Sequence, residues 1–298
     1  MKLSSLHLLL TYQCTFECDH CFVWGSPWQC GTMTLAQIRE VLDQAREAGG
    51  IEKVYFEGGE PFLYYAVMLK SVQEAARRGF KVGIVTNAYW ANSREDALAF
   101  LDPLRDFIED LTVSSDLYHY SELMSQQAQN ATAAAEELGI SSSILSVAQP
   151  ADAEAGSSLG QLTDGSEVMF RGRAISKLAG KVPQMDWKSF TACPHEDLRD
   201  PGRVHLDPLG NVHICQGISL GNVFETPLKE ICEKYDPEAH PICGALLTGG
   251  PVALVTEYAL PHEEKYADAC ALCYQARQRL RESFPEILKP DQMYGIGL

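Results

Sequence analysis

Along roughly the first 180 residues, short apolar runs alternate with stretches whose apolar positions recur at helical spacing. LHLLLTY (6–12), KVYFEGGEP (53–61), KVGIVTN (81–87), LTVSSD (111–116), SSILSV (142–147) and EVMFRG (167–172) read as six strands. Between them, TLAQIREVLDQAREAG (34–49) is an amphipathic helix, with Thr34 able to cap it and Leu35, Ile38, Val41 and Leu42 on one face. Further helices fit 66–79, 93–107 (broken near Pro103) and the Ala-rich run 121–138, which stops at Gly139. Near-continuous apolar strands alternating with helices predict a parallel sheet with helices outside. The segment 151–166 carries no core-forming pattern and reads as a loop.

The pattern changes after about residue 180. RVHLDPLGNVHIC (203–215) reads as a hairpin around a Pro-Leu-Gly-Asn turn, with His205 and His213 on its surface. PLKEICEKY (227–235) fits a short helix, and CALCYQARQRLRESF (270–284) a loop entering a helix. The expected fold is therefore α/β: a partial (β/α)6 TIM-like barrel over 1–180, and a small Cys-rich α+β domain over 181–298.

The chain has 298 residues, 46% hydrophobic and 21% charged, the composition of a globular protein. Its formal net charge is −16, without the basic stripe that a nucleic-acid partner needs; the acidity reads as a solubility feature. MKLSSLHLLLTYQC lacks a cleavage site, and no apolar run reaches spanning length, so no membrane partner and a cytoplasmic location are expected. Ten cysteines are many for that compartment, where disulfides rarely persist and clustered thiols argue for metal or redox work.

Two cysteine sets stand out. Cys14, Cys18 and Cys21 are spaced C-x3-C-x2-C directly after the first strand. They can hold a [4Fe–4S] cluster with one iron left open, or a zinc ion with His20 or Asp19 as the fourth ligand. Cys193, Cys215, Cys270 and Cys273 can fully ligate a second cluster or a structural zinc, with Cys243 an alternative member. Cys232 reads as a core thiol and Cys30 as a loop thiol. The polar residues gather at the C-terminal ends of strands, the edge where α/β sheets build sites: Cys14, Glu57, Asn87, Ser114 and Asp116.

The triple-cysteine loop, EGGEP (57–61) at the second strand end, TN (86–87) at the third and SSD (114–116) at the fourth together resemble the radical S-adenosylmethionine (SAM) superfamily over roughly residues 6–175. The later cysteines, with GNVHIC (210–215) and SLGNV (219–223), resemble the twitch auxiliary-cluster domain, a shortened relative of the SPASM domain. The resemblance implies that Cys14, Cys18 and Cys21 hold a [4Fe–4S] cluster whose open iron SAM chelates. It implies that Gly58, Gly59 and Glu60 lie against the SAM amino group, with Asn87 and Ser114 near ribose or carboxylate, and His20 near adenine. Arg173, in GRA (172–174), would meet the SAM carboxylate or substrate. One auxiliary [4Fe–4S] cluster is implied for the second set. An electron donor such as flavodoxin or ferredoxin is also implied.

The implied activity is reductive SAM cleavage to a 5′-deoxyadenosyl radical, followed by hydrogen abstraction from substrate. The auxiliary cluster points to an oxidation, as in a radical SAM alcohol dehydrogenase. Asp116, His119 and Arg171 are the candidate catalytic residues at the barrel mouth, with Glu57 beside them. Peptide maturation, forming a crosslink or an epimer, is the rival. The cysteine loop starts at residue 14, which leaves no leader-binding domain ahead of it and tilts the expectation to a small molecule. A metal-stapled binding or sensor protein is the alternative outside catalysis.

Overall fold

The computed structural model of the chain describes residues 1–149 and 167–297; the loop expected at 151–166 lies outside them. The strands are β1 (Leu3–Thr11), β2 (Lys53–Gly58), β3 (Lys81–Thr86), β4 (Asp110–Ser114), β5 (Ser141–Leu145), β6 (Met185–Asp186), β7 (Gly202–Leu206), β8 (Asn211–Cys215), β9 (Ile218–Asn222) and β10 (Lys265–Tyr266). The helices are α1 (Leu35–Ala48), α2 (Tyr65–Arg77), α3 (Arg94–Leu101), α4 (Gln126–Glu137), α5 (Ala174–Lys177), α6 (Leu228–Lys234), α7 (Cys243–Glu257) and α8 (Ala269–Leu280).

Local chemistry sets the helix ends. Thr34 and Gln37 form a reciprocal capping box at the start of α1, and Gly49 ends it at φ +72°. Pro103 stops α3 early, leaving a single 3-10 turn. Ser125 caps α4, which therefore starts later than its Ala-rich pattern suggests.

The sheet runs β5-β4-β3-β2-β1-β7-β8-β9. β1 to β5 and β7 are mutually parallel, whereas β8 pairs antiparallel with β7 and β9 antiparallel with β8. The fold is thus mixed α/β with a mostly parallel sheet. Side chains alternate across β1: Leu6, Leu8 and Leu10 enter the core beneath the helices, while His7 and Leu9 turn to the concave face. A second core joins Leu9 and Ile214 to α7 and α8 through Leu254 and Leu272.

Two expectations change. Residues 167–172 do not form a strand. Phe170 N–H instead donates to Asp268 (3.1 Å), and just beyond the segment Arg173 N–H donates to the Cys21 carbonyl (3.0 Å). The sixth parallel strand is β7, lying in register on β1 with His205 opposite His7. The expected hairpin forms from β7 and β8, but it extends the main sheet across the boundary drawn at residue 180. Among the described residues no helix is long and apolar enough to cross a membrane.

Candidate active site

A pocket of about 500 Å³ fills the concave face of the sheet. It brings together Cys14, Cys18, Cys21, His20, Gly58, Gly59, Asn87, Ser114, His119 and Arg171 among the residues expected from sequence. The three cysteines are free thiols. N–H donors point at their sulfurs: Gly25 N–H to Cys21 Sγ (3.2 Å), and Phe16 N–H and the Asn87 side-chain amide to Cys14 Sγ (both 3.5 Å). Such donors suit thiolates that share electron density with a metal cluster.

Four of the expected site residues carry scaffold contacts. Arg173 faces inward, not the pocket. Its Nη1 donates to the Cys18 carbonyl (2.7 Å), its Nη2 to the Gly25 carbonyl (2.8 Å), and its guanidinium lies 5.5 Å from the Trp24 ring centroid. It clamps the cysteine loop.

Glu60 is also turned inward. Its carboxylate accepts from Phe62 N–H (3.0 Å), Thr86 Oγ1 (2.9 Å) and Asn87 N–H (2.8 Å), tying the ends of β2 and β3. Burial pushes this carboxyl up to about 7, against the pull of those donors.

Gly58 and Gly59 line the pocket, but Gly59 is required by chain packing. A Cβ there would sit 2.0 Å from the Gln13 carbonyl oxygen. Gly59 N–H donates to Thr11 O (2.7 Å) and Glu60 N–H to Gln13 O (2.8 Å), so the strand end lies directly on the cysteine loop.

Asp116 is a positioning residue. It accepts from Tyr118 N–H (2.9 Å), His119 N–H (3.2 Å) and Val147 N–H (3.2 Å), and from His119 Nδ1 (2.8 Å). Burial works against its charge, but these donors, the His119 ring first, hold the carboxyl below its ordinary value. The bond fixes the His119 tautomer and leaves Nε2 as its second nitrogen. His20 packs 5.3 Å from the His119 ring and 4.6 Å from the Tyr118 ring. Burial lowers His20 to about 4, and its Nδ1 has no hydrogen-bond partner among the described residues.

Cys193, Cys215, Cys270 and Cys273 line one second cavity, together with Arg171 and Arg277. Arg171 Nη1 lies 3.4 Å from Cys215 Sγ and 3.3 Å from Glu196 Oε1. Arg171 lines both cavities, so they adjoin at its side chain. Arg277 is fully buried and donates to the Gln216 carbonyl. Cys243 and Cys232 are buried in the two apolar cores and Cys30 is exposed; none of the three lines either cavity.

Sequence reasoning missed one constellation. His7, Glu57 and His205, from β1, β2 and β7, face the same pocket. His7 Nδ1 lies 2.8 Å and His205 Nε2 3.3 Å from Glu57 Oε1. His205 thus points inward rather than lying on a hairpin surface. The available signal was His7 itself, a polar position inside an apolar strand run.

Residues 8–146 match the family model described as the Radical SAM superfamily. That family implies a [4Fe–4S] cluster and SAM. The chain is 30% identical over 112 residues to the "Putative peptide biosynthesis protein YydG" of Bacillus subtilis (strain 168), covering 37% of this chain and 35% of that protein. It is 31% identical over 84 residues to an "S-adenosylmethionine-dependent nucleotide dehydratase" of Selenomonas ruminantium, covering 28% of this chain and 29% of that one. The matched stretch spans about a third of these relatives' own length. The structure "Native anSMEcpe with bound AdoMet and Cp18Cys peptide" aligns over 96% of this chain and 97% of its own, at TM-score 0.49 and 13% identity.

Proposed function

We propose that the chain is a radical SAM enzyme that abstracts a hydrogen atom from a polar small molecule in the sheet pocket and completes an oxidation with help from a second cluster site. The observation that carries this reading is the placement of Arg171. Its guanidinium borders both the pocket holding Cys14, Cys18 and Cys21 and the cavity holding Cys193, Cys215, Cys270 and Cys273. Two all-thiol donor sets, one of three and one of four, side by side in free-thiol form, fit an open and a closed iron–sulfur site.

When bound, a [4Fe–4S] cluster with SAM supplies a hydrogen-abstracting 5′-deoxyadenosyl radical. In this chain Cys14, Cys18 and Cys21 would hold that cluster, and Gly58, Gly59, Asn87, Ser114 and His20 would border SAM. A cluster on the second cysteine set would supply an electron acceptor. His119, its tautomer set by Asp116, is the pocket base: Nε2 accepts the hydroxyl proton that an alcohol oxidation releases. Arg171 and Arg203 supply positive charge at the pocket wall for a polar substrate. A flavodoxin or ferredoxin would deliver the electron.

The similarity to YydG favours a second reading in which the substrate is a peptide that is crosslinked or epimerised. Cys18→Ala separates both readings from a metal-stapled binding protein. The variant is expected to keep the circular dichroism spectrum and lose all 5′-deoxyadenosine formation from SAM and dithionite. Retained SAM cleavage would defeat the proposal.

A further inference from the structure

We infer that His7, Glu57 and His205 form a divalent-cation site of the zinc class, separate from both cysteine sets. One ligand atom from each residue lies within 4.8 Å of the other two. The separations from Glu57 Oε1, 2.8 Å to His7 Nδ1 and 3.3 Å to His205 Nε2, match donors on a single ion. Donors about 2.0–2.2 Å from one zinc stand roughly 2.8–3.6 Å apart, depending on the angle between them.

The scaffold also fixes these donors. His7 and His205 are register partners on adjacent parallel strands. The Tyr55 ring stacks on His7 at 4.9 Å, and the Phe22 ring meets His205 edge-on at 5.7 Å. The three side chains are only 15–17% exposed, and what exposure they have belongs to a pocket wall. Three protein ligands facing a cavity leave coordination positions open, which is the arrangement of a catalytic rather than a structural zinc site. The open position takes an oxygen or nitrogen of the substrate, or water. That use rests on the reading above, whereas ion binding does not.

The test titrates Zn²⁺ into protein reconstituted with iron and sulfide, so that the thiols are occupied, and follows it by calorimetry and zinc X-ray absorption. The expected result is one Zn²⁺ per chain with a nitrogen and oxygen shell at about 2.0–2.2 Å and no sulfur at about 2.3 Å. His7→Ala, His205→Ala and Glu57→Gln should each weaken binding at least about 100-fold, the upper range of what even outer-shell changes cost. Absence of stoichiometric zinc, or zinc bound as tightly in all three variants, overturns the site. The absorption spectrum of the unsubstituted protein decides the matter if a variant fails to fold. Failure of iron to load would instead strike the cluster reading, and would show as sulfur around the zinc.

Discussion

Arg173 shows how the site is held at the scale of single side chains. It is almost wholly buried, and its guanidinium donates to two carbonyl oxygens, of Cys18 within the cysteine loop and of Gly25 just beyond it. Hydrogen bonds from a charged donor contribute about 1.5–3 kcal/mol each, so Arg173→Ala should cost about 3–5 kcal/mol, read as a lower urea midpoint with an unchanged slope. It should also lower iron loading at the first site, and Arg173→Lys, with no fork, should fall between. A variant with wild-type stability and iron content would contradict the clamp. The grouping of the three cysteines was legible in sequence from their C-x3-C-x2-C spacing after a strand, and they line one pocket. The roles of Arg173, Glu60 and Asp116 were not. A buried polar side chain can be satisfied by backbone as readily as by a ligand, and only the folded path says which carbonyl or N–H is near. His7 and His205 were missed because the contact joins residues far apart in sequence through strand register.

At the scale of elements, the decisive feature is β7 beside β1. The alternation of strands and helices was legible from β1 to β5, where a helical segment separates successive strand runs. The sixth position was not, because EVMFRG has a strand-like composition but its Phe170 N–H is already used by Asp268, and Arg173 directly after it donates its N–H to the cysteine loop. The C-terminal part also contributes Val204, Leu206, Val212, Leu228 and Ile231 to the main core, and Gln44 of α1 is bonded to Val223 O (2.9 Å) and Leu228 N–H (2.8 Å). Burying each such aliphatic side chain stabilises by about 1.5–3 kcal/mol, so losing them removes an amount comparable to a typical total of about 5–15 kcal/mol. A chain ending after residue 180 is therefore expected to be insoluble or to unfold without a cooperative transition. Soluble, cooperative unfolding of that fragment would show that the first five strands stand alone.

At the scale of the whole molecule, one sheet carries two thiol-lined cavities that meet at Arg171. Four thiols in the second cavity and three in the first set different expectations for each. Cys270→Ala should lose about half the iron while keeping SAM binding, measured by iron assay and equilibrium dialysis. Unchanged iron would remove Cys270 from the ligand set. The most direct measurement for the central claim is made on the unsubstituted chain under anaerobic conditions: reconstitution with iron and sulfide, an iron count, then dithionite and SAM with detection of 5′-deoxyadenosine. The account predicts about eight irons per chain, four for each of two clusters, together with 5′-deoxyadenosine. Zinc in place of iron, with SAM left intact, would contradict it.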